Sequence, residues 1–328
     1  MKALWRGFSS ILADGIQAYL EYKRAIKRKF RTEEMGLRLL DRYLSEQRIN
    51  SLTAITPLVI EDFLASRPRR HPRSYNHLLG VTRCFFAWLV VQGRIECSPV
   101  RTRAMRSTAQ LQPYLFSPDQ AKQLLELAAS LPDRPKGPDR GETYYLVFAL
   151  MYALGLRVSE VVRLRRCDVD LKRQLLEIRQ TKFSKDRLVP FGPNVGHRVA
   201  EYLERRNTRF EGLLPEDPLF SFNAGRAIHP CTISQTFHHL VTDRFKPPPG
   251  VAPPRLHCLR HSFAVGTLLR WYRSGIDPNT RLIHLSTFLG HVDPASTAWY
   301  LTITEELLDE ANTRFEQFAA PAIAECVL

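Results

Sequence analysis

The sequence predicts a mainly α-helical protein with one small β-hairpin, divided into two domains. Three observations carry this. Apolar residues recur at helical spacing in both halves of the chain. Only two short runs, 175–178 and 187–190, read as strands, and they flank a polar turn. A polar, basic and aperiodic stretch over 100–112 separates two groups of helices, and a length of 328 residues suits two domains. The expected division is 1–105, a linker within 106–113, and 114–328.

Taken in order, residues 11–48 read as helical. Ile11, Ile16, Tyr19 and Leu20 space as one face, and Leu37, Leu40, Tyr43 and Leu44 resume the stripe. Thr56-Pro57 marks a helix start, with proline in the first turn. Arg67 to Arg73 form a basic loop, and Ser74 is the expected cap of a helix bearing Leu78, Leu79, Val81, Phe85, Phe86 and Trp88. That aromatic stripe is expected in the core. Ser117-Pro118-Asp119-Gln120 has the form of a capping box. Tyr144 to Leu154 is apolar nearly all round and reads as a buried helix stopped by Gly155.

Beyond Gly155, Arg157 precedes a helix starting near Ser159-Glu160. The two strands enclose a basic tip, 181–186, that holds Lys182 and Lys185. Helices are expected over 195–211, 233–244 and about 259–271, with a proline-rich loop at 247–254. Ser296 caps or enters the segment bearing Tyr300, and an amphipathic helix is expected over 305–318.

Composition bounds the function. Forty-seven Lys+Arg against 33 Asp+Glu give a net charge of +14, which predicts an anionic partner, most often nucleic acid. Residues 1–112 hold 20 of the basic and 9 of the acidic residues, so most of the excess lies in the first third. The clusters Lys23, Arg24, Lys27, Arg28 and Arg69, Arg70, Arg73 are candidate phosphate contacts, with Lys185 on the hairpin tip. Six scattered cysteines form no C-x-x-C pair, so no zinc site is expected and a reducing, cytoplasmic setting is. No signal peptide and no membrane span are read.

The residues with most chemistry lie late in the chain. His257-Cys-Leu-Arg260-His261 is followed by Leu289-Gly290-His291 and, nine residues later, by Tyr300. Arginine offers a permanently charged planar fork for phosphate oxygens. Histidine moves protons near neutral pH, and a tyrosine hydroxyl is a possible covalent nucleophile. Transesterification of a phosphodiester without metal needs cations on the non-bridging oxygens, a nucleophile and a proton donor for the leaving oxygen. Arg157, Arg260 and Tyr300 satisfy the first two needs. His257 and His261 are four residues apart, but no carboxylate lies between them, so a metal site is not expected. His261 is expected to pack behind the site, and Tyr272 to pack on its helix.

Leu154-Gly-Leu-Arg157-Val-Ser-Glu160, a basic hairpin with Lys182, His257-x-x-Arg260, Leu289-Gly-His291 and Tyr300, in this order, resemble the tyrosine recombinase (phage integrase) family. The resemblance implies a two-domain, C-shaped clamp. It joins a helical core-binding (SAM-like) domain to an α+β catalytic domain that holds DNA. It implies that Tyr300 attacks the scissile phosphate to leave a 3′-phosphotyrosyl bond, with Arg157, Arg260 and His291 on the phosphate. His257 would assist proton transfer from the tyrosine, Glu160 would support the site, and Lys182 would be the general acid, with Lys185 as its neighbour on the tip. No cofactor or ATP is implied. The partners implied are double-stranded DNA at specific sites, further copies of the chain up to a tetramer, and accessory recombinases. Beside the shorter chromosomal members of the family, residues 271–287 look like extra sequence, a loop, and the setting implied is a mobile element, in integration, excision or transposition. The C-terminal tail would dock on a neighbouring protomer or on its own domain. Two other readings share these residues: a non-catalytic DNA-binding member of a recombinase set, and a type IB topoisomerase.

Overall fold

The computed structural model describes residues 7–28, 30–69, 71–106, 111–135, 137–179, 186–223, 225–302 and 307–313. Its contacts divide the chain into two compact units, Met1–Gln110 and Leu111–Leu328.

Four helices build the first unit: α1 (Ala13–Ala25), α2 (Arg31–Glu46), α3 (Pro57–Ala65) and α4 (Pro72–Val91). Their apolar faces meet in one core that includes Ile16, Leu20, Leu40, Phe63, Phe85 and Phe86. The stretch expected to be helical over 11–48 forms two helices, α1 and α2. Lys27 and Phe30 take positive φ values of 58° and 44°, a conformation no α-helix continues through. Of the basic cluster, Lys23 and Arg24 lie in the last turn of α1 and Lys27 and Arg28 at this break. Thr56 caps α3 through the Val59 amide, as expected. Ser74 does not cap α4: the helix opens at Pro72 on an extended His71, because proline presets the first helical φ.

The polar stretch that follows is partly laid down. Asn76 holds both the amide and the carbonyl of Met105, each at 2.8 Å, and Arg83 donates to the Thr102 carbonyl at 2.8 Å. In the second unit, the Gln112 amide donates to the Gly250 carbonyl and the Gln112 carbonyl accepts from Ala252.

The second unit begins with α5 (Pro118–Ala129), whose Ser117/Gln120 capping box is formed. α6 (Arg140–Ala153) is buried on most of its circumference. A one-turn helix, α7 (Val158–Val161), precedes a three-stranded antiparallel sheet of β1 (Val169–Asp170), β2 (Leu175–Ile178) and β3 (Arg187–Pro190). β2 and β3 pair with Ile178 opposite Arg187. β1 is too short for its period to show in sequence. α8 (Pro193–Arg209) and α9 (Pro230–Val241) pack behind the sheet and α6 around a core that includes Phe148, Leu176, Val189, Val199 and Phe237.

α10 (Cys258–Arg273), α11 (Pro278–Leu289) and the one-turn α12 (Ala295–Ala298) lead to a 3₁₀ turn, Trp299–Thr302. The stretch 271–287 is thus mostly helical and not a loop. It is the end of α10, a turn with Gly275 at φ 75°, and most of α11, which Asp277 caps. Gly275 and Asp277-Pro278 gave the stretch its loop-like appearance. Trp271, Tyr272 and Leu282 lean on a core of Val265, Leu268, Leu285, Leu289 and Tyr300. Ser296 lies inside α12, whose cap position is Pro294. Of the expected final helix, 307–313 are described and helical. Arg70, Lys182 and Lys185, like the C-terminal tail, lie outside the described residues.

Candidate active site

α10 and α11 build the site, together with the two junctions that bracket them in space. The α6–α7 junction turns at Gly155, with φ 60°, and a β-carbon there would come within 2.6 Å of Phe263 and 2.8 Å of Leu289. Only glycine lets these elements approach so closely. The turn delivers Arg157 at the cap position of α7 and Glu160 one turn on. α11 ends at Gly290, φ 66°, and its last carbonyls point toward the arginines.

Three arginines converge on that helix end. Arg260 is fully buried and donates to the Gly155 and Leu289 carbonyls, both at 2.6 Å. Arg157 donates to Leu289 O at 3.4 Å and to Gly290 O at 3.1 Å. Arg187, on β3, donates from Nε to Phe288 O at 2.9 Å. The unpaired carbonyls at a helix C-terminus carry partial negative charge, and cations are favoured there. Arg157 keeps about a quarter of its side chain exposed while its guanidinium bonds into the cluster.

Glu160 ties the arginines together. Its carboxylate accepts from Arg157 Nη1 at 2.8 Å, from the Arg157 amide at 3.0 Å, and from both terminal nitrogens of Arg187 at 3.0 and 2.9 Å. Burial alone would raise its pKa. The hydrogen bonds and charge of Arg187, helped by Arg157, outweigh that and hold it at about 2. Burial and the neighbouring Arg157 pull Arg260 down to about 9, which leaves it cationic at neutral pH.

The histidines are neutral. Burial, with Arg260 and Arg157 close by, lowers His257 and His291 to about 4. Burial, His257 and Arg260 lower His261 to about 3. Nδ1 of His291 and the Thr297 hydroxyl lie 2.6 Å apart, which fixes the imidazole ring above Tyr300 in a near-parallel stack. His257 stands edge-on to His261, with ring centres 4.6 Å apart. Tyr300 is 2% exposed, and its hydroxyl lies 2.9 Å from His261 Nδ1. Burial raises the tyrosine pKa against the opposing pull of Arg260 and Arg157.

The structure therefore brings together Arg157, Glu160, His257, Arg260, His291 and Tyr300, although they span 144 positions of the chain. Two members went unread. His261, expected to pack behind the site, contacts the tyrosine hydroxyl directly. Its place four residues after His257, on the same helix face, was the available signal. Arg187 carries no sequence signal, since its role depends on β3 lying beside α11. In the first unit Arg24, Lys27, Arg28, Arg69 and Arg73 are exposed and Lys23 is half-buried. Arg24 is paired with Glu34 at 2.6 Å, and Lys23 lies over the rings of Tyr19 and Tyr22. Among the described residues, no group of three or more His, Cys, Asp or Glu could hold a metal ion, and no helix is long and apolar enough to cross a membrane.

Residues 115–306 match the phage integrase family. The chain belongs to this family, the tyrosine-type site-specific recombinases. It is 34% identical over 312 residues to "Putative integrase/recombinase y4rB" of Sinorhizobium fredii (strain NBRC 101917 / NGR234), covering 94% of this chain and 98% of that one. It is 29% identical over 258 residues to tyrosine recombinase XerC of Chlorobaculum tepidum (strain ATCC 49652 / DSM 12025 / NBRC 103806 / TLS), covering 74% and 73% of the two chains. Its fold is similar to that of the Tn1549 transposon integrase in complex with circular intermediate DNA. The TM-score is 0.65 at 17% identity, over 92% of this chain and 99% of that one.

Proposed function

We propose that this recombinase cuts and rejoins duplex DNA through Tyr300 at specific recombination sites. The observation that carries this reading is the meeting of Tyr300 with Arg157 and Arg260 at the end of α11. The two guanidiniums now bind backbone carbonyls. The non-bridging oxygens of a phosphodiester are stronger acceptors than carbonyls, and as charge builds on them in the transition state the same donors stabilise it. His291 adds a donor beside them. Glu160, fixed as a carboxylate, orients Arg157 and Arg187.

In this reading Tyr300 attacks phosphorus and the 5′-oxygen leaves, so a 3′-phosphotyrosyl bond replaces the phosphodiester and its energy is kept. Lys182 protonates the leaving oxygen, and Lys185, three residues on, contacts the DNA. The proton of Tyr300 passes to the histidine pair of His257 and His261. A 5′-hydroxyl of the partner duplex then reverses the step. No ATP, cofactor or metal enters this chemistry.

Residues 1–105 serve as the core-binding domain, which with 114–328 closes around the duplex through the linker. The cations Lys23, Arg24, Lys27, Arg28, Arg69, Arg70 and Arg73 are its phosphate contacts. Strand exchange between two sites calls for four copies of the chain, and accessory recombinases are possible further partners. Integration, excision or transposition of a mobile element, in the cytoplasm, is the setting that fits.

The test is a DNA duplex nicked close to the cleavage site, so that the short product diffuses away and traps the covalent complex. Wild type should form an adduct that survives denaturing electrophoresis, and Tyr300→Phe should form none. No adduct with wild type across genomic fragments flanking the gene, or one that persists in Tyr300→Phe, rejects the reading.

A further inference from the structure

We infer that His261 is the direct acceptor of the Tyr300 proton when the tyrosine attacks. The inference rests on Tyr300 being the nucleophile and assigns the base for that step.

The geometry decides between the candidates. Among the described residues, the His261 imidazole has the one basic nitrogen at hydrogen-bond distance from the hydroxyl, 2.9 Å from Nδ1. That is within the reach a general base needs. The Arg260 guanidinium also faces the hydroxyl, but a guanidinium only donates. His291 lies over the tyrosine ring and places its Nδ1 on Thr297. His257 meets the face or edge of His261 and not the hydroxyl.

The position of His261 is also built. It lies on α10 one residue after Arg260, so the residue that would bind phosphate and the residue that would take the proton are carried by one rigid element. Trp299 packs edge-on against its ring at 5.8 Å. The titratable and charged groups around it are His257 and Arg260 on its own helix, Tyr300 on the closing turn, and His291 on the far side of the tyrosine ring.

The step balances. Neutral His261 carries its proton on Nε2 and leaves Nδ1 open. The Tyr300 oxygen forms its bond to phosphorus, its proton moves to Nδ1, and the 5′-oxygen leaves with a proton from the general acid. His261 is then an imidazolium. In rejoining, a 5′-hydroxyl attacks and gives its proton back to the general acid, the phenolate leaves, and Nδ1 returns the proton to it. The positive charge on His261 lasts as long as the phosphotyrosyl bond and is balanced by the proton that the general acid has given to the 5′-oxygen.

The experiment uses the full chain and the nicked duplex on which wild type forms its adduct. His261→Asn places an amide oxygen where Nδ1 stood, so it retains an acceptor for the hydroxyl and loses basicity. Cleavage should fall by about 10²-fold or more, with DNA affinity and melting temperature held. A fluorinated tyrosine at position 300, more acidic than tyrosine, should restore most of the loss in His261→Asn and change wild type little. Raising the pH should likewise speed the variant more than wild type. His261→Gln, whose amide is displaced from the Nδ1 position, is the second variant, and should be as slow or slower and equally rescued. Wild-type rates in His261→Asn, or a loss that neither fluorinated tyrosine nor high pH relieves, overturns the inference. If wild type itself forms no adduct, the failure belongs to the nucleophile assignment and not to His261.

Discussion

Arg187 grips Glu160 with two parallel hydrogen bonds, at 3.0 and 2.9 Å, and with its third nitrogen holds the Phe288 carbonyl. One guanidinium thus links β3, α7 and the end of α11. Both side chains are nearly or fully buried, at 10% and 2% exposed. Breaking a buried pair from one side costs about 3–5 kcal/mol, and because Arg157 still holds Glu160 the lower end of that range, about 3 kcal/mol, applies. Arg187→Ala should therefore lower the unfolding free energy by about that amount in denaturant titration. Arg187→Lys keeps the charge but not the fork, and should recover only part of it.

Gly290 stands against the same guanidinium. A β-carbon there would lie 2.8 Å from Arg187 Nη1, on a backbone at φ 66°. The left-handed conformation alone costs an alanine about 1–2 kcal/mol. Gly290→Ala should destabilise by at least this much. It should also slow adduct formation, because Arg187 and the carbonyl that Arg157 binds would both shift. A Gly290→Ala protein with wild-type stability and rate would show that the α11 end is not the anchor described.

Acid should weaken the fold in two windows. His257, His261 and His291 have folded-state pKa values lowered from 6.5 to about 4, 3 and 4. Between pH 6.5 and about 3 the unfolded chain binds more protons than the folded one, so stability falls as pH falls through that range. Glu160 is lowered from 4.5 to about 2, so its contribution is complete above pH 4.5 and lost as pH drops toward 2. Melting temperature against pH should show the first loss in wild type and a shallower one in His291→Gln. Coincident curves for the two proteins would contradict the histidine share.

Arg157 and Arg260 should separate in experiment. Arg157 is partly exposed and held by its Glu160 and carbonyl contacts, so Arg157→Ala should fold and bind DNA while losing cleavage by about 10²–10³-fold. Arg260 is a buried bridge between Gly155 and Leu289, so its removal should cost stability as well. Arg260→Lys, measured by both unfolding and adduct formation, is the informative variant.

Binding should be salt-sensitive in proportion to the cations used. Each phosphate contact contributes about 0.9 to the slope of log affinity against log salt. Replacing Lys27, Arg28, Arg69 or Arg73 by Ala should flatten the slope by about that amount where the residue touches phosphate. Arg24, already paired with Glu34, should contribute less. Equal slopes for all variants would place the DNA elsewhere.

Much of the catalytic half was legible in sequence because its elements carry strong local signals. The Ser117/Gln120 box, the apolar α6 and the paired strands β2 and β3 each follow from short-range pattern. The residues of the site were legible through their types and order. What failed was set by backbone geometry or by distance in sequence. Positive φ at Lys27 and Phe30 splits α1 from α2 without a glycine to announce it. The Gly275 turn disguised two good helices as a loop. Arg187 meets Glu160 only because β3 lies beside α11, and His261 looked like packing until Tyr300 was placed against it.

The central claim is that Tyr300 becomes joined to the 3′ side of the broken strand. The direct measurement is mass spectrometry of the trapped adduct after protease and nuclease digestion. The expected result is a nucleotide mass on the peptide containing Tyr300, with a free 5′-hydroxyl on the released strand. A nucleotide on Tyr272 or any other residue, or a 5′-linked adduct, would contradict it.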